Sequence, residues 1–369
     1  MAKFFSSITL GRRSLLLAGA FLAELRRIQR FRSPTVGRDH PGGAALCHTR
    51  SQPFAVFRLV LGSHISLEHF VGHRALHPTR PSRARLMAVK SIFDGSRVAF
   101  LTQHGKETLI GGMFREALGC VVVRAEGFDT DRLGTFSGEV PRPDSQLQTV
   151  RRKARIGMDL LGTSLGLASE GAFVPDPFGG MLPWNIELLV WLDDERGLEV
   201  TGLAQGPARS TQGSARTEAE LLQWAQVAGF PEHQLLLRAE GAHHAAVHKG
   251  LADEGALRSA FAACLRESPK GSVSVENDLR AFCNPTRQGM IVRAAQDLLQ
   301  KLQSACPSCA LPGFSAKERH GGLPCRACGL PTALAKSLLW RCEACGHQAL
   351  KPAGHASHAD PSRCDHCNP

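Results

Sequence analysis

The stretch Ser96-Arg-Val-Ala-Phe-Leu-Thr102, followed by Gln103-His-Gly-Lys106-Glu and then by Cys120-Val-Val-Val-Arg-Ala125, decides the class of fold. A short apolar run reads as a buried strand. The segment His104–Leu118 has helical periodicity, and the second apolar run reads as another strand. Strand, helix, strand is the unit from which parallel sheets are built.

The same alternation continues outward. A helix with basic residues at its centre is expected over Gln146–Leu161, then a short strand over Ser164–Ala168. Glu187–Leu192 and Leu198–Thr201 read as a hairpin around the turn Asp193-Asp-Glu-Arg-Gly197. Thr217 with Glu220 three residues on has the form of a capping box and opens a helix to Val227. Gln234–Arg238 and Val273–Val275 are strands, with a helix over Ala252–Arg266 between them. Asn284-Pro-Thr-Arg287 starts the last helix: Asn caps it and Pro takes the first position, where its missing N–H costs nothing. Residues 87–305 are therefore expected to form an α/β domain, a mixed sheet flanked by helices.

Of 12 cysteines, 8 fall in the last 64 residues as the pairs Cys306/Cys309, Cys325/Cys328, Cys342/Cys345 and Cys364/Cys367, separated by 15, 13 and 18 residues. Two thiolates at this spacing fit one tight turn and reach the same tetrahedral zinc. Four pairs make two four-cysteine zinc sites, so residues 306–369 are expected to be two small zinc ribbons holding two structural Zn²⁺. Pairing neighbours in series is the simpler arrangement; a cross-brace, first pair with third and second with fourth, satisfies the same spacing. A redox Cys-x-x-Cys would be single and would open a helix. The tail is poor in apolar residues, so metal should supply much of its folding energy.

The net charge of +11 is unevenly placed. Residues 1–86 hold 14 Lys+Arg and 3 Asp+Glu, which leaves 44 − 14 = 30 basic and 33 − 3 = 30 acidic residues for 87–369. The basic balance thus belongs to the first 86 residues. They are expected to be a disordered or spurious extension ahead of a start at Met87, in a cytoplasmic protein. The alternative is targeting or export by residues 1–30, where Arg12-Arg13 precedes the apolar run Leu15–Ala23.

Three polar loops follow strands, where open α/β sheets bind ligands. The first offers Thr102, His104 and Lys106 at a helix N-terminus, a setting suited to phosphate. The second, Glu126 to Glu139, mixes carboxylates, hydroxyls and glycines. The third places Glu170 in Ala168-Ser-Glu-Gly-Ala172, just beyond an expected strand end. Between them lies a basic helix face with Arg151 and Lys153, and Arg287 stands in the first turn of the last helix. Carboxylates beside cations suit Mg²⁺-assisted attack on a phosphate, with Glu139 and Glu170 as the catalytic pair. The plainer readings are a solvated helix face for Arg151 to Arg155, turn chemistry for Asp129 and Asp131, and a good helix start for Asn284 to Arg287.

The stretches Glu126-Gly-Phe-Asp-Thr-Asp131, Leu167-Ala-Ser-Glu-Gly-Ala-Phe173, Asn284-Pro-Thr-Arg287 and the closing Cys364-Asp-His-Cys-Asn-Pro369 resemble an uncharacterised bacterial family, a domain of unknown function with C-terminal Cys-x-x-Cys pairs. The resemblance covers 87–369 and implies no established activity. A more distant one is to nucleoside-triphosphate pyrophosphatases of the inosine triphosphatase type. Carried over, it implies phosphate contacts from Thr102 and Lys106 and a metal contact from Glu170. Three departures stand out: His104 replaces an Asn, Lys106 comes one residue early, and Gln148 stands where an acid is expected, with Glu139 as its substitute.

The function expected from all this is a zinc-binding protein whose α/β domain takes a phosphorylated ligand, a nucleotide or other small molecule, as a Mg²⁺-dependent nucleotide phosphohydrolase. The alternative is a zinc-ribbon module for nucleic acid or protein beside a non-catalytic α/β domain. Scarce aromatics, with Trp340 the one Trp or Tyr near the cysteines, weaken the nucleic-acid version. No apolar run approaches the ~20 residues of a membrane span.

Overall fold

The computed structural model describes residues 91–103, 105–134, 144–242 and 246–369. The expectations for residues 1–86, His104 and Glu139 lie outside the described residues.

The deciding stretch folds as read. Strand β1 (Arg97–Leu101) is buried from Val98 on; helix α1 (Lys106–Leu118) and strand β2 (Val121–Ala125) follow, and β2 pairs with β1 in parallel. Helix α2 (Gln146–Leu161) begins with a full capping box between Ser145 and Gln148. Strand β3 (Leu165–Pro175) pairs in parallel with β1 and antiparallel with β4 (Pro183–Asp193), which pairs with β5 (Leu198–Pro207). The sheet order is β2-β1-β3-β4-β5, a mixed sheet.

The alternation of strand side chains distributes the core between two faces. Ala99, Ala168, Val190 and Leu192 meet Val150, Ala154 and Met158 of α2. On the other face Phe100, Leu167, Leu189 and Trp191 meet Phe114 of α1 and Ile291 and Leu298 of α5 (Pro285–Leu302). Trp191 is fully buried, stacked on Phe114 at 5.9 Å and edge-on to Phe93 at 4.9 Å. Each such side chain contributes about 1.5–3 kcal/mol by leaving water.

Two expectations need correction. Glu170 does not follow a strand end. It lies in the middle of β3, an eleven-residue strand whose pairing with β1 ends at Phe100↔Leu167. Beyond that point β3 continues on β4 alone, so its residues from Ser169 onward form one wall above the end of β1. Nor do the later strands join the mixed sheet. β6 (Gln212–Ala215), β7 (Leu235–Ala239), β8 (Val247–Leu251) and β9 (Val273–Asn277) form a second, antiparallel sheet, order β6-β9-β7-β8. Helices α3 (Glu218–Ala228) and α4 (Glu254–Glu267) cover one face of it, burying Leu221, Leu257 and Phe261 against Leu235, Leu237, Val273 and Val275. Leu236, Arg238, Ser274 and Glu276 alternate with these buried strand residues and take the other face. The chain enters this unit after β5 and leaves it at Asp278, so it is an insertion between β5 and α5.

Strands β10 (Ser315–His320), β11 (Ser337–Arg341) and β12 (Gln348–Pro352) make a third, antiparallel sheet among the cysteines. No helix of the described residues is long and apolar enough to cross a membrane.

Candidate functional site

A cavity of about 90 Å³ opens at the carboxyl end of β1, between the length of β3 that runs beyond its pairing with β1 and the inserted sheet. A buried water occupies roughly 10–15 Å³ on such a measure, so the space holds several small groups. Thr102, Lys106, Lys153, Glu170 and Arg287 all line it, brought together from β1, α1, α2, β3 and α5. Arg151 does not. It is half-exposed and bidentate to Glu199 of β5, with Nε and Nη2 both 2.7–3.0 Å from the carboxylate. Arg155 likewise pairs with Asp194 and Arg152 with Asp144, so most of the basic helix face is answered at the surface.

Lys106 is the first residue of α1 and only 8% exposed. Its Nζ donates to Ser169 Oγ at 2.9 Å and makes no ion pair among the described residues. Burial pulls its pKa from 10.5 down to about 7, and the nearby Arg287 charge pushes the same way. Gly105 ahead of it takes a left-handed φ of 65° and provides no side-chain cap, so the first backbone N–H groups of α1 lack that partner.

Three other cations on the cavity, Lys153, Arg287 and Arg280, are each tied to an acid. Lys153 lies 2.5 Å from Glu170, itself 3% exposed. Buried Arg287 holds buried Glu187 at 2.7 Å and donates to the Leu279 carbonyl. Asn185 donates to the same Glu187 oxygen at 3.2 Å, and Glu187 Oε2 is buried without a hydrogen bond. Where the chain leaves the insertion, Arg280 Nε lies 3.0 Å from both oxygens of Asp278, whose Oδ2 also accepts from the Gly250 amide. Burial raises the Asp278 carboxyl, but these bonds to Arg280 outweigh it and hold the pKa below the ordinary carboxylate value.

The loop after β2 shows turn chemistry. Asp129 accepts from the Asp131 amide at 3.0 Å and from Gln103 at 2.9 Å, and Thr130 donates back to Gln103. Gln148, expected at the position of an acid, completes the cap of α2 instead. Glu187 and Lys249 were not singled out by the sequence. Glu187 was legible as a charge inside the apolar strand Ile186-Glu-Leu-Leu-Val-Trp191, whereas Lys249 carried no signal.

The eight cysteines gather as two groups: Cys306, Cys309, Cys342 and Cys345, and Cys325, Cys328, Cys364 and Cys367. The pairing is the cross-brace, not the series. Its cause is the sheet register: Ser315 pairs with Arg341, so β11 returns Cys342 to the knuckle just before β10. Likewise Ala359 bridges Cys325 and carries the last pair to the second knuckle. Sulfur separations of 3.7 Å (Cys306–Cys345, Cys309–Cys342, Cys328–Cys364) and 3.8 Å (Cys325–Cys367) recur in both groups. Four thiolates ~2.3 Å from a central ion form a tetrahedron with edges of about 3.8 Å. Both groups can hold a metal ion of that kind.

The model of a family described as Domain of unknown function (DUF6671) matches residues 153–369, more than half of the chain. The matched part includes Lys153, Glu170, Glu187, Arg287 and all eight of these cysteines; it begins after Thr102 and Lys106. No curated protein matches the chain.

Proposed function

The chain belongs to this family of a domain of unknown function, and from the chemistry of its own cavity we propose that it binds a small phosphorylated ligand above the end of β1. The observation that carries this reading is Lys106: a buried lysine on a cavity, at a helix N-terminus without a side-chain cap, with a serine as partner where its neighbours have carboxylates. A buried charge without a counter-ion is costly, and an anion docking there supplies one. Amides of the first turn and the helix dipole add to the attraction.

The reading stops at binding. Lys153 already neutralises Glu170 through one of its oxygens, so Mg²⁺-dependent hydrolysis is not part of it. The cysteine groups we assign to two structural zinc ions, on the four-thiolate donor set and its tetrahedral edges. Lys351 stands 3.9 Å over the Trp340 ring, which leaves that face closed to a stacking base and disfavours the nucleic-acid alternative.

Calorimetric titration of the full chain with inorganic phosphate tests the proposal. Saturable binding that weakens at least tenfold in Lys106→Gln is expected. Equal affinity in the two proteins would overturn it.

A further inference from the structure

A cavity built for an anion alone gains nothing from carboxylates, yet four line this one: Glu170, Asp278, Glu276 and Asp131. Three are answered within the protein. Lys153 holds Glu170 at 2.5 Å, Arg280 holds Asp278 at 3.0 Å, and Arg238 holds Glu276 at 3.2 Å. The fourth is different. The Asp131 carboxylate makes no hydrogen bond or close ion pair with a described residue; it stands only in the wider field of Arg280, whose side-chain hydrogen bonds go to Asp278. Among the described residues the cavity thus presents a cation whose side-chain partner is a hydroxyl, Lys106, and a carboxylate without a close donor, Asp131. A ligand satisfies both only if it is anionic at one end and carries a hydrogen-bond donor at the other.

The walls also say what the ligand lacks. None of the described lining residues is aromatic, so nothing there stacks on a base. The lining amides are already used: Gln103 by Asp129 and Thr130, and Asn277 by the backbone of Thr211 and Ala228. Among the described residues no lining side-chain amide is left to read a base edge.

We propose that the ligand is a small phosphorylated polyol or phosphorylated amine, not a nucleotide, its hydroxyl or ammonium received by Asp131 while its phosphate faces Lys106. This rests on the phosphate reading above.

The test is calorimetry on the full chain with four probes: ethyl phosphate, glycerol 3-phosphate, phosphoethanolamine and AMP. A donor to a charged acceptor is worth roughly a factor of ten. Glycerol 3-phosphate or phosphoethanolamine is expected to bind about tenfold tighter than ethyl phosphate, with AMP no tighter than ethyl phosphate. Asp131→Ala should erase that advantage, with ethyl phosphate bound at least as tightly as by the wild type because a like charge has left the cavity. Asp131→Asn tells the donors apart: it keeps an acceptor for a hydroxyl but loses the charge that holds an ammonium. Equal binding of the first three probes, tightest binding of AMP, or an advantage that survives Asp131→Ala would overturn the inference and leave the phosphate reading standing. Failure of all four probes and of inorganic phosphate would remove both.

Discussion

The ammonium of Lys106 and the hydroxyl of Ser169 lie 2.9 Å apart and join the first turn of α1 to the length of β3 that has outrun β1. A hydroxyl does not neutralise a buried lysine, and the consequence is a dependence of stability on pH. In the unfolded chain the amine keeps its proton to about 10.5; in the folded protein it loses it near 7. Between those values the folded state binds fewer protons, so stability rises with pH, at up to about 1.4 kcal/mol per unit from this group. Below pH 7 the burial penalty is present in full. Lys106→Met should therefore be more stable than the wild type at pH 6, with the difference shrinking steadily toward pH 10. Urea unfolding at several pH values reads this directly, and a difference independent of pH would refute it.

The same group would set the pH range of the proposed phosphate binding. An alkyl phosphate is dianionic above about pH 7, its second pKa being near 6. Its charge is therefore constant from pH 7.5 to 9.5 while Lys106 loses its proton. Affinity for ethyl phosphate should fall across that range in the wild type and stay flat in Lys106→Met, as measured by calorimetry.

Gly171 lies under the buried pair of Glu187 and Arg287, and a Cβ there would collide with both side chains. Gly171→Ala should force the pair apart and cost about 3 kcal/mol or more, the scale of a broken buried ion pair. Replacing the pair by Glu187→Gln with Arg287→Met in the Gly171→Ala background should recover part of the loss, because no uncompensated charge then remains. Chemical denaturation decides; a cost under about 1 kcal/mol for Gly171→Ala would show that the pair simply shifts aside.

How far these features were legible follows from the range of the interactions. Strand β1, helix α1 and strand β2 were readable because their signals are local: an apolar run, a helical period, and a turn. The cap at Asn284 was equally local, and the Asn284 side chain accepts from the Arg287 amide at 3.0 Å. The length of β3 was not readable, because Ser169-Glu-Gly171 looks like a loop until the full hairpin with β4 is known. The same limit hid the second sheet, since its short strands could pair with either partner. Thr102, Lys106 and Glu170 were singled out by loop position, Lys153 by a basic helix face and Arg287 by a helix start, and none of those local signals says that the five line one cavity. The neutralisation of Arg151 by Glu199 spans 48 residues and leaves no mark in the helix itself.

The first knuckle shows where a local rule is broken. Gly329 and Gly346 follow the second and third cysteine pairs at φ of 75° and 73°, while the equivalent place after the first pair is taken by Ala310 at φ 61°. A side chain there costs roughly 1 kcal/mol that glycine avoids. Ala310→Gly should thus stabilise the metal-loaded protein by a few tenths to about 1 kcal/mol, after the glycine's larger unfolded-state entropy is subtracted. A melting temperature that falls would show that the Ala310 methyl packs against something it needs.

The cross-brace itself makes a prediction that serial ribbons reverse. Cys309 and Cys342 belong to one group, Cys325 to the other. Cys309→Ser with Cys342→Ser should empty one site and leave about one zinc per chain. Cys309→Ser with Cys325→Ser should empty both. In a serial arrangement Cys309 and Cys325 share a site, so the first double variant would lose both ions and the second would keep one. Metal analysis of the two purified double variants, beside a wild type proposed to hold about two zinc ions, separates the arrangements without requiring either variant to retain its full stability. Residual zinc near one per chain in Cys309→Ser/Cys325→Ser would contradict the register of β10 against β11, because that register is what returns Cys342 to the first knuckle.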